Sequence, residues 1–393
     1  MIYILIIIYI LNIFYLKKKR LFTSSFIIHF FFLTIVFIGP CIYYELGFTV
    51  YSNSFDWVDV ITFEKYSIFV FSCTLIYSYF LSHTKKTILN SLFSNYSQKN
   101  KSLLFLYFIF WYSIVALYLL IYFKELPVIK FIFTGILPER LDKSESVKFF
   151  YTLSSIFMVF IPSGYFYFIT LLKGNLTKFL LLLFVIFILT SGGHKGLTAF
   201  FIIFALMFSG YKFNLKYILI LGISVIGLLS IYTVTKGKKI NKETLVYLLE
   251  SPPRRFFVTQ GSAFITRISM DRKNLYKGNV HEYQVIKNET YKEIYPHYKT
   301  YGAAPTIFMG DMHVRYGPVI TGISYIIFLL FCFPIIKGLD NMPQRKLHLW
   351  WNLFIFFFLL GMTEISMFSS LRLILTIFNL FAILILPKLK LNA

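Results

Sequence analysis

Residues 317–336 read GPVITGISYIIFLLFCFPII, twenty positions without one charged side chain, flanked by Arg315 and Lys337. As a helix rising about 1.5 Å per residue, this run is about 30 Å long, the thickness of a bilayer's hydrocarbon core. Ten further runs of similar character lie along the chain: 1–16, 24–44, 64–82, 103–123, 149–172, 179–191, 196–210, 215–234, 349–363 and 371–387. The expected fold is therefore all-α and polytopic, with about 11 transmembrane helices. Composition agrees. Of 393 residues, 58% are hydrophobic, 21% aromatic and only 14% charged, against about 25% charged in soluble domains. Such a chain has too little polar surface to fold in water, which excludes a soluble enzyme, a disordered chain and a repeat solenoid.

The net charge of +22 would point to nucleic acid in a soluble domain; here its distribution over the loops reads as orientation. Lys17, Lys18, Lys19 and Arg20 follow the first apolar run instead of preceding it, which predicts an outer N-terminus and no cleaved leader. With that start, the inner loops carry 17 Lys and Arg against one acid, Asp340. The C-terminus is then inside. The expected organisation is helices 1–8 over 1–234, a large outer loop over 235–316, and helices 9–11 over 317–393. That loop holds 14 basic and 7 acidic residues, and long translocated loops are largely exempt from the charge rule. Smaller outer loops are expected at 45–63, with Asp56, Trp57 and Asp59, and at 124–148. Cys41, Cys73 and Cys332 sit in apolar runs without metal-ligand spacing, so they read as packing residues, with no disulfide.

Three outer constellations could carry chemistry. The first is Ser191-Gly192-Gly193-His194-Lys195-Gly196, between two short spans. The 15 residues between Lys178 and His194 cover about 23 Å as helix, less than the bilayer core. His194 and Lys195 would then lie at membrane depth, where ionisable groups line polar cavities. The second is Pro252-Pro253-Arg254-Arg255-Phe256-Phe257, with Gln260 and Arg267 following; guanidinium forks suit phosphate oxygens. The third is Ala303-Ala304-Pro305 and then Gly310-Asp311-Met312-His313-Val314-Arg315-Tyr316-Gly317-Pro318. In a helix Asp311 and Arg315 share a face at i, i+4, with His313 offset: a carboxylate, an imidazole and a guanidinium at the mouth of one span. A salt bridge with a bystander histidine is the plain alternative. Glu364 and Arg372 flank the last outer turn and complete the candidates. No Walker loop, dinucleotide fingerprint, HExxH or GxSxG stands in the chain; neither a metal site nor a cofactor site is expected. His29, His83 and His348 fall at ends of inner spans or in an inner loop and read as structural.

This layout resembles the oligosaccharide repeat-unit polymerases, the O-antigen (Wzy-type) polymerases of bacterial surface polysaccharides. Those proteins have similar length and one dominant periplasmic loop late in the chain. Arg254-Arg255-Phe256-Phe257 resembles the family's Arg-containing segment. Asp311-x-His313-x-Arg315-Tyr316-Gly317 resembles its stretch before the next span, with Asp where Glu is commoner. The Ser191–Lys195 turn resembles a basic turn between middle spans, with Lys195 where Arg is commoner. The resemblance implies a GT-C-like membrane glycosyltransferase of the bacterial inner membrane with a periplasmic active face. It implies transfer of a glycan from undecaprenyl diphosphate to a sugar hydroxyl on a new lipid-linked repeat unit, without cofactor or nucleic acid, alongside membrane lipid and a chain-length regulator. Arg254, Arg255, Lys195 and Arg315 become candidates for the diphosphate, together with His194, Arg267, Arg372 and Glu364 as further substrate contacts. His313 becomes the base with Asp311 as its orienter or alternative; Tyr298, Tyr301 and Tyr316 could pack on sugar faces. A flippase for the same lipid-linked oligosaccharide is the rival, but flippases keep short loops and a polar central cavity. An O-antigen ligase shares the architecture, although ligases usually follow the histidine with Asn, where Val314 stands here.

Overall fold

A computed structural model describes residues 1–19, 26–47, 55–84, 101–126, 150–191, 258–282, 285–296, 306–340, 347–361 and 371–388, with single positions between them. The described residues are helical, with no strand among them. In chain order the α-helices are α1 (Ile2–Lys18), α2 (Phe26–Leu33), α3 (Gly39–Glu45), α4 (Trp57–His83), α5 (Lys101–Ile121), α6 (Phe150–Phe168), α7 (Asn175–Ser191), α8 (Thr259–Arg272), α9 (Val285–Ile294), α10 (Phe308–Asp340), α11 (Leu347–Gly361) and α12 (Leu371–Ile385). Nine of the eleven expected spans meet helix here, α2 and α3 forming one span together. Most of 196–210 and all of 215–234 lie outside the described residues.

Among the described residues, three helical stretches are long and apolar enough to cross a membrane: Trp57–His83, Ser102–Ile121 and Phe308–Lys337. Shorter apolar helices accompany them. Their outward faces identify the solvent they need. On α10, Val319, Ile323, Ile327 and Leu330 recur at helical spacing and are 51–72% exposed. On α12, Ile374, Phe378, Phe381 and Ile385 do the same. Each such side chain in water forgoes about 1.5–3 kcal/mol of burial; lipid removes that cost. Cys41 and Cys332 are buried thiols, as packing residues should be.

The chain divides into two compact units. The first comprises Met1–Tyr96, Pro252–Pro343 and Leu353–Leu373. Its axis is α4, against which α1, α8 and α10 pack. Between α2 and α3 the helix widens into a π-turn over Thr34–Ile38, and Pro40 follows. Proline has no N–H for the carbonyl four residues back, which leaves the Val36 oxygen unbonded by Pro40. Gly261 of α8 comes to rest there: a Cβ at 261 would meet the Val36 oxygen and Pro40 Cγ well inside van der Waals contact. Gly261-Ser262-Ala263 thus acts as the small-residue face that lets two helix backbones approach, and the Ser262 hydroxyl bonds the Tyr44 hydroxyl across the contact (2.9 Å).

The described part of 235–316 is therefore not a loop spread over the outside of this unit. In α8, every residue from Gly261 to Ile268 is buried, and so is Met270. The helix ends on Asn274, which takes the left-handed conformation (φ 53°), while the Leu275 N–H donates to the Met270 carbonyl (2.9 Å). That closing turn fixes Asp271 and Arg272 at the helix end. The side chain of Glu289 on α9 then accepts from the N–H groups of Lys277 and Gly278 (2.8 and 3.2 Å), tying α9 to the turn.

The second unit comprises Ser97–Ser251, Gln344–Asn352 and Ile374–Ala393. Here α5 and α6 meet closely at Gly164, where a Cβ would stand 2.6 Å from the Tyr112 ring; Trp111 stacks on Phe160 at 3.9 Å. Among its described residues the two buried asparagines, Asn352 and Asn379, join one polar network. Asn379 donates to the Asn352 side-chain oxygen (2.7 Å) and accepts from the Tyr107 hydroxyl (2.9 Å). Asn352 in turn donates to the Ser163 hydroxyl (2.9 Å) and the His348 carbonyl (2.8 Å). Partnered amides of this kind act as glue between apolar helices.

Candidate functional site

All described candidates but Arg372 gather where α4, α8 and α10 of the first unit meet. The segment Phe308–Tyr316 is helical and carries Asp311, His313 and Arg315; it is set off from the apolar run by Gly317-Pro318. Gly317 has φ 78° and ψ 178°, a conformation open to glycine and not to L side chains, and proline disfavours helix in the residue before it. Backbone chemistry thus separates a short polar helix from the membrane-spanning one, where the sequence places the start of the span. Asp311 lies in the helix's first turn, favourable for a negative charge at the positive end of the helix dipole.

Arg267 and Asp311 form the core of the cluster. The Arg267 Nη2 is 3.2 Å from Asp311 Oδ1, with side chains 0% and 2% exposed. Gly310 makes room for this approach: a Cβ there would stand 3.1 Å from Arg267 Cδ and 2.6 Å from the Thr306 methyl. The contact is an ion pair without hydrogen-bond alignment, and the Arg267 Nε, Nη1 and Nη2 have no hydrogen-bond partner among the described residues. A guanidinium has five N–H donors, and each buried donor left unmet costs about 1–3 kcal/mol. The buried Gln260 Oε1 and the Arg315 Nε are in the same position. Asp311 and Arg315 do share a helix face, yet the carboxylate's ion pair runs to Arg267 on another helix.

His313 is held from two sides. Its Nδ1 is 2.7 Å from the Tyr66 hydroxyl of α4, and its Nε2 is 3.6 Å from Asp271 Oδ2 of α8. Phe264 packs edge-on against the imidazole, with ring centroids 6.4 Å apart. The carboxylate facing the imidazole is thus Asp271, which corrects the expectation that Asp311 orients His313. The reason is geometric: residues two apart on a helix point to different faces, so Asp311 and His313 find separate partners on α8, Arg267 and Asp271, themselves one turn apart. Partial burial raises the Asp271 carboxyl above the ordinary carboxylate range, with His313 pulling it back. Tyr276, just past the helix end, hydrogen-bonds Thr290 (3.2 Å), and burial pushes its phenol up to about 12, with Arg267 opposing.

One turn of chain anchors this cluster at its edge. Arg272 makes a two-pronged contact with Asp59, Nε to Oδ1 at 2.8 Å and Nη2 to Oδ2 at 3.1 Å, and also bonds Asp56. Lys273 reaches Asp56 at 3.0 Å. Asp56 stands at the N-cap position and Asp59 in the first turn of α4, so the acidic start of one helix is clamped to the basic end of another, in the sense both dipoles favour. The hydrogen bonds from Lys273 and Arg272 hold the Asp56 carboxyl below its usual range.

Of the other candidates, Arg372 lies in the first turn of α12 and is half-buried. His194, Lys195, Arg254, Arg255, Glu364, Tyr298 and Tyr301 lie outside the described residues. His29 is buried against Tyr325 (Nε2 to hydroxyl, 3.3 Å), a packing role in keeping with its apolar surroundings. Sequence reasoning missed Asp271, Tyr66 and Tyr276. The spacing Arg267–Asp271, i and i+4 on a helix, was the available signal for the first. Tyr66 is one of 29 tyrosines and carries none. Comparison with known proteins returns no match: no family model, no curated protein and no solved structure matches the chain.

Proposed function

We propose that the chain is a membrane glycosyltransferase that polymerises lipid-linked oligosaccharide repeat units of a bacterial surface polysaccharide, the O-antigen type being the nearest resemblance. It works at the periplasmic face of the inner membrane, with the N-terminus outside and the C-terminus inside, as the Lys and Arg distribution over the inner loops indicates. The single observation that carries the reading is the buried cluster at the mouth of α10. There a desolvated guanidinium with unmet donors, Arg267, lies one helical turn from a carboxylate–imidazole–phenol array, Asp271, His313 and Tyr66.

The reaction needs both halves. The leaving group is a lipid diphosphate, whose developing charge calls for fixed cations in a low-dielectric site; Arg267 and Arg315 supply them here, and Arg254, Arg255, Lys195 and His194 are the further cations proposed for it, with Glu364 and Arg372 as contacts near the last outer turn. The acceptor sugar hydroxyl must lose its proton as it attacks the anomeric carbon, and the Asp271–His313 pair is the titratable group suited to receive it. The partners are undecaprenyl-diphosphate-linked oligosaccharides, with a chain-length regulator on the same pathway.

The test is reconstitution. Purified protein in liposomes is given undecaprenyl-diphosphate-linked repeat units extracted from cells in which the gene is deleted. The expected result is a ladder of longer lipid-linked glycans and one undecaprenyl diphosphate released per bond formed. Single units that remain single, with no diphosphate released, overturn the reading.

A further inference from the structure

His313 is the residue whose type and place in the sequence mark it as the base, but its surroundings do not suit it to that task. An imidazole accepts a proton from a substrate through a ring nitrogen whose lone pair reaches the substrate hydroxyl. Here the Nδ1 is taken by the Tyr66 hydroxyl at 2.7 Å, and the Nε2 faces Asp271 at 3.6 Å. The ring lies between Phe264 and Tyr66, and its side chain is 8% exposed where that of Asp271 is 42% exposed. With a carboxylate before it, the Nε2 keeps its proton and the Nδ1 accepts from Tyr66. The Nδ1 is thus hydrogen-bonded, and the Nε2 stands in ion-pair range of a carboxylate rather than open to a sugar. Asp271 Oδ1, in contrast, has no hydrogen bond or ion pair among the described residues.

We propose that Asp271 is the catalytic base, touching the acceptor hydroxyl, and that His313 and Tyr66 form a positioning chain behind it. The proposal rests on the polymerase reading above. In the step, the acceptor oxygen gives its proton to Asp271 Oδ1 and bonds to the anomeric carbon of the donor. The bond from that carbon to the diphosphate oxygen breaks, and its electron pair leaves with the lipid diphosphate. The proton on Asp271 then passes to water. The His313 Nε2–H orients the carboxylate through Oδ2 and favours its ionised form, while Tyr66 fixes the imidazole tautomer. The groups facing Asp271 are His313 on α10, Tyr66 on α4 and Tyr276 beyond the end of α8; Arg272, its chain neighbour, is engaged by Asp56 and Asp59.

The reconstituted assay with the same extracted repeat units decides. Asp271→Asn should lower turnover about 100-fold or more, the low end of what a general base contributes, with a melting temperature close to wild type because the substitution keeps the shape of a side chain that is only half-buried. Asp271→Glu should recover at least a tenth of the wild-type rate. His313→Gln should keep turnover within about tenfold and move the acidic limb of the rate–pH profile upward, since the imidazole pulls the carboxyl down. Wild-type turnover in Asp271→Asn, or loss of all turnover in His313→Gln with Asp271→Asn still active, overturns the assignment while leaving the polymerase reading intact. A wild-type protein that forms no ladder overturns both.

Discussion

Breaking the Arg267–Asp311 pair offers a quantitative check on the cluster, because its two halves should not cost the same. Asp311→Asn leaves a guanidinium that is 0% exposed without its counter-charge, and orphaning one member of a buried pair costs about 3–5 kcal/mol. Arg267→Met takes one partner from a carboxylate 2% exposed. It also removes buried N–H donors that lack hydrogen-bond partners, each worth about 1–3 kcal/mol when unmet, and it preserves the apolar stem that packs beside Gly310. The net loss for Arg267→Met should then be about 1–3 kcal/mol. The double variant Arg267→Met/Asp311→Leu removes both charges, and such replacements range from neutral to stabilising. The assay is unfolding of the purified protein in bicelles, read as a double-mutant cycle with each single change and the pair. Equal losses in the two singles, or additive losses in the double, would refute the reasoning that α8 and α10 are joined by a buried, incompletely satisfied ion pair. A double variant that is folded yet forms no glycan ladder would add that Arg267 serves the ligand as well as the fold.

Gly261→Ala should destabilise the first unit by about 1–3 kcal/mol, the usual cost of overpacking, because the new methyl lands on the Val36 carbonyl and Pro40; a thermal melt within a degree of wild type contradicts that close approach. The clamp at Asp56 should be acid-sensitive: its carboxyl titrates lower when folded than unfolded, so its contribution is present above the ordinary carboxylate pKa of about 4 and is lost as pH falls through the folded value. The gap in melting temperature between wild type and Asp56→Asn should therefore be full at pH 7 and narrow steadily as pH is lowered below the ordinary carboxylate value, and a gap that does not narrow on acidification argues against it.

Much of this architecture is legible in the sequence because lipid imposes a simple rule on it. A run such as 317–336 has no other economical solution than a helix, and Gly317-Pro318 marks its beginning by backbone chemistry alone. The segment 235–316 was harder. Its composition is polar, yet Gly261-Ser262-Ala263 and the apolar residues after it make α8 a core helix, because small residues there let it lie against the π-turn of the α2–α3 span. Periodicity does not display that complementarity; it depends on the close approach of Gly261 to the Val36 carbonyl and Pro40, in another helix. The site was legible in its residue types and not in its pairings. Asp311, His313 and Arg267 all belong to one cluster, but which carboxylate meets the imidazole is decided by the facing of α8 on α10, a tertiary property. Tyr66 lies inside an apolar span and acquires meaning only from the 2.7 Å contact with His313.

The central claim, that this chain elongates lipid-linked repeat units, is tested most directly by deleting the gene and resolving the surface glycan on a gel. The account predicts that single repeat units still reach the surface and that the long-chain ladder disappears, returning with the wild-type gene. Absence of any units at the surface would make the protein a flippase, and full-length polymer stranded on the carrier lipid would make it a ligase. Either outcome, or an unchanged ladder, would contradict the account.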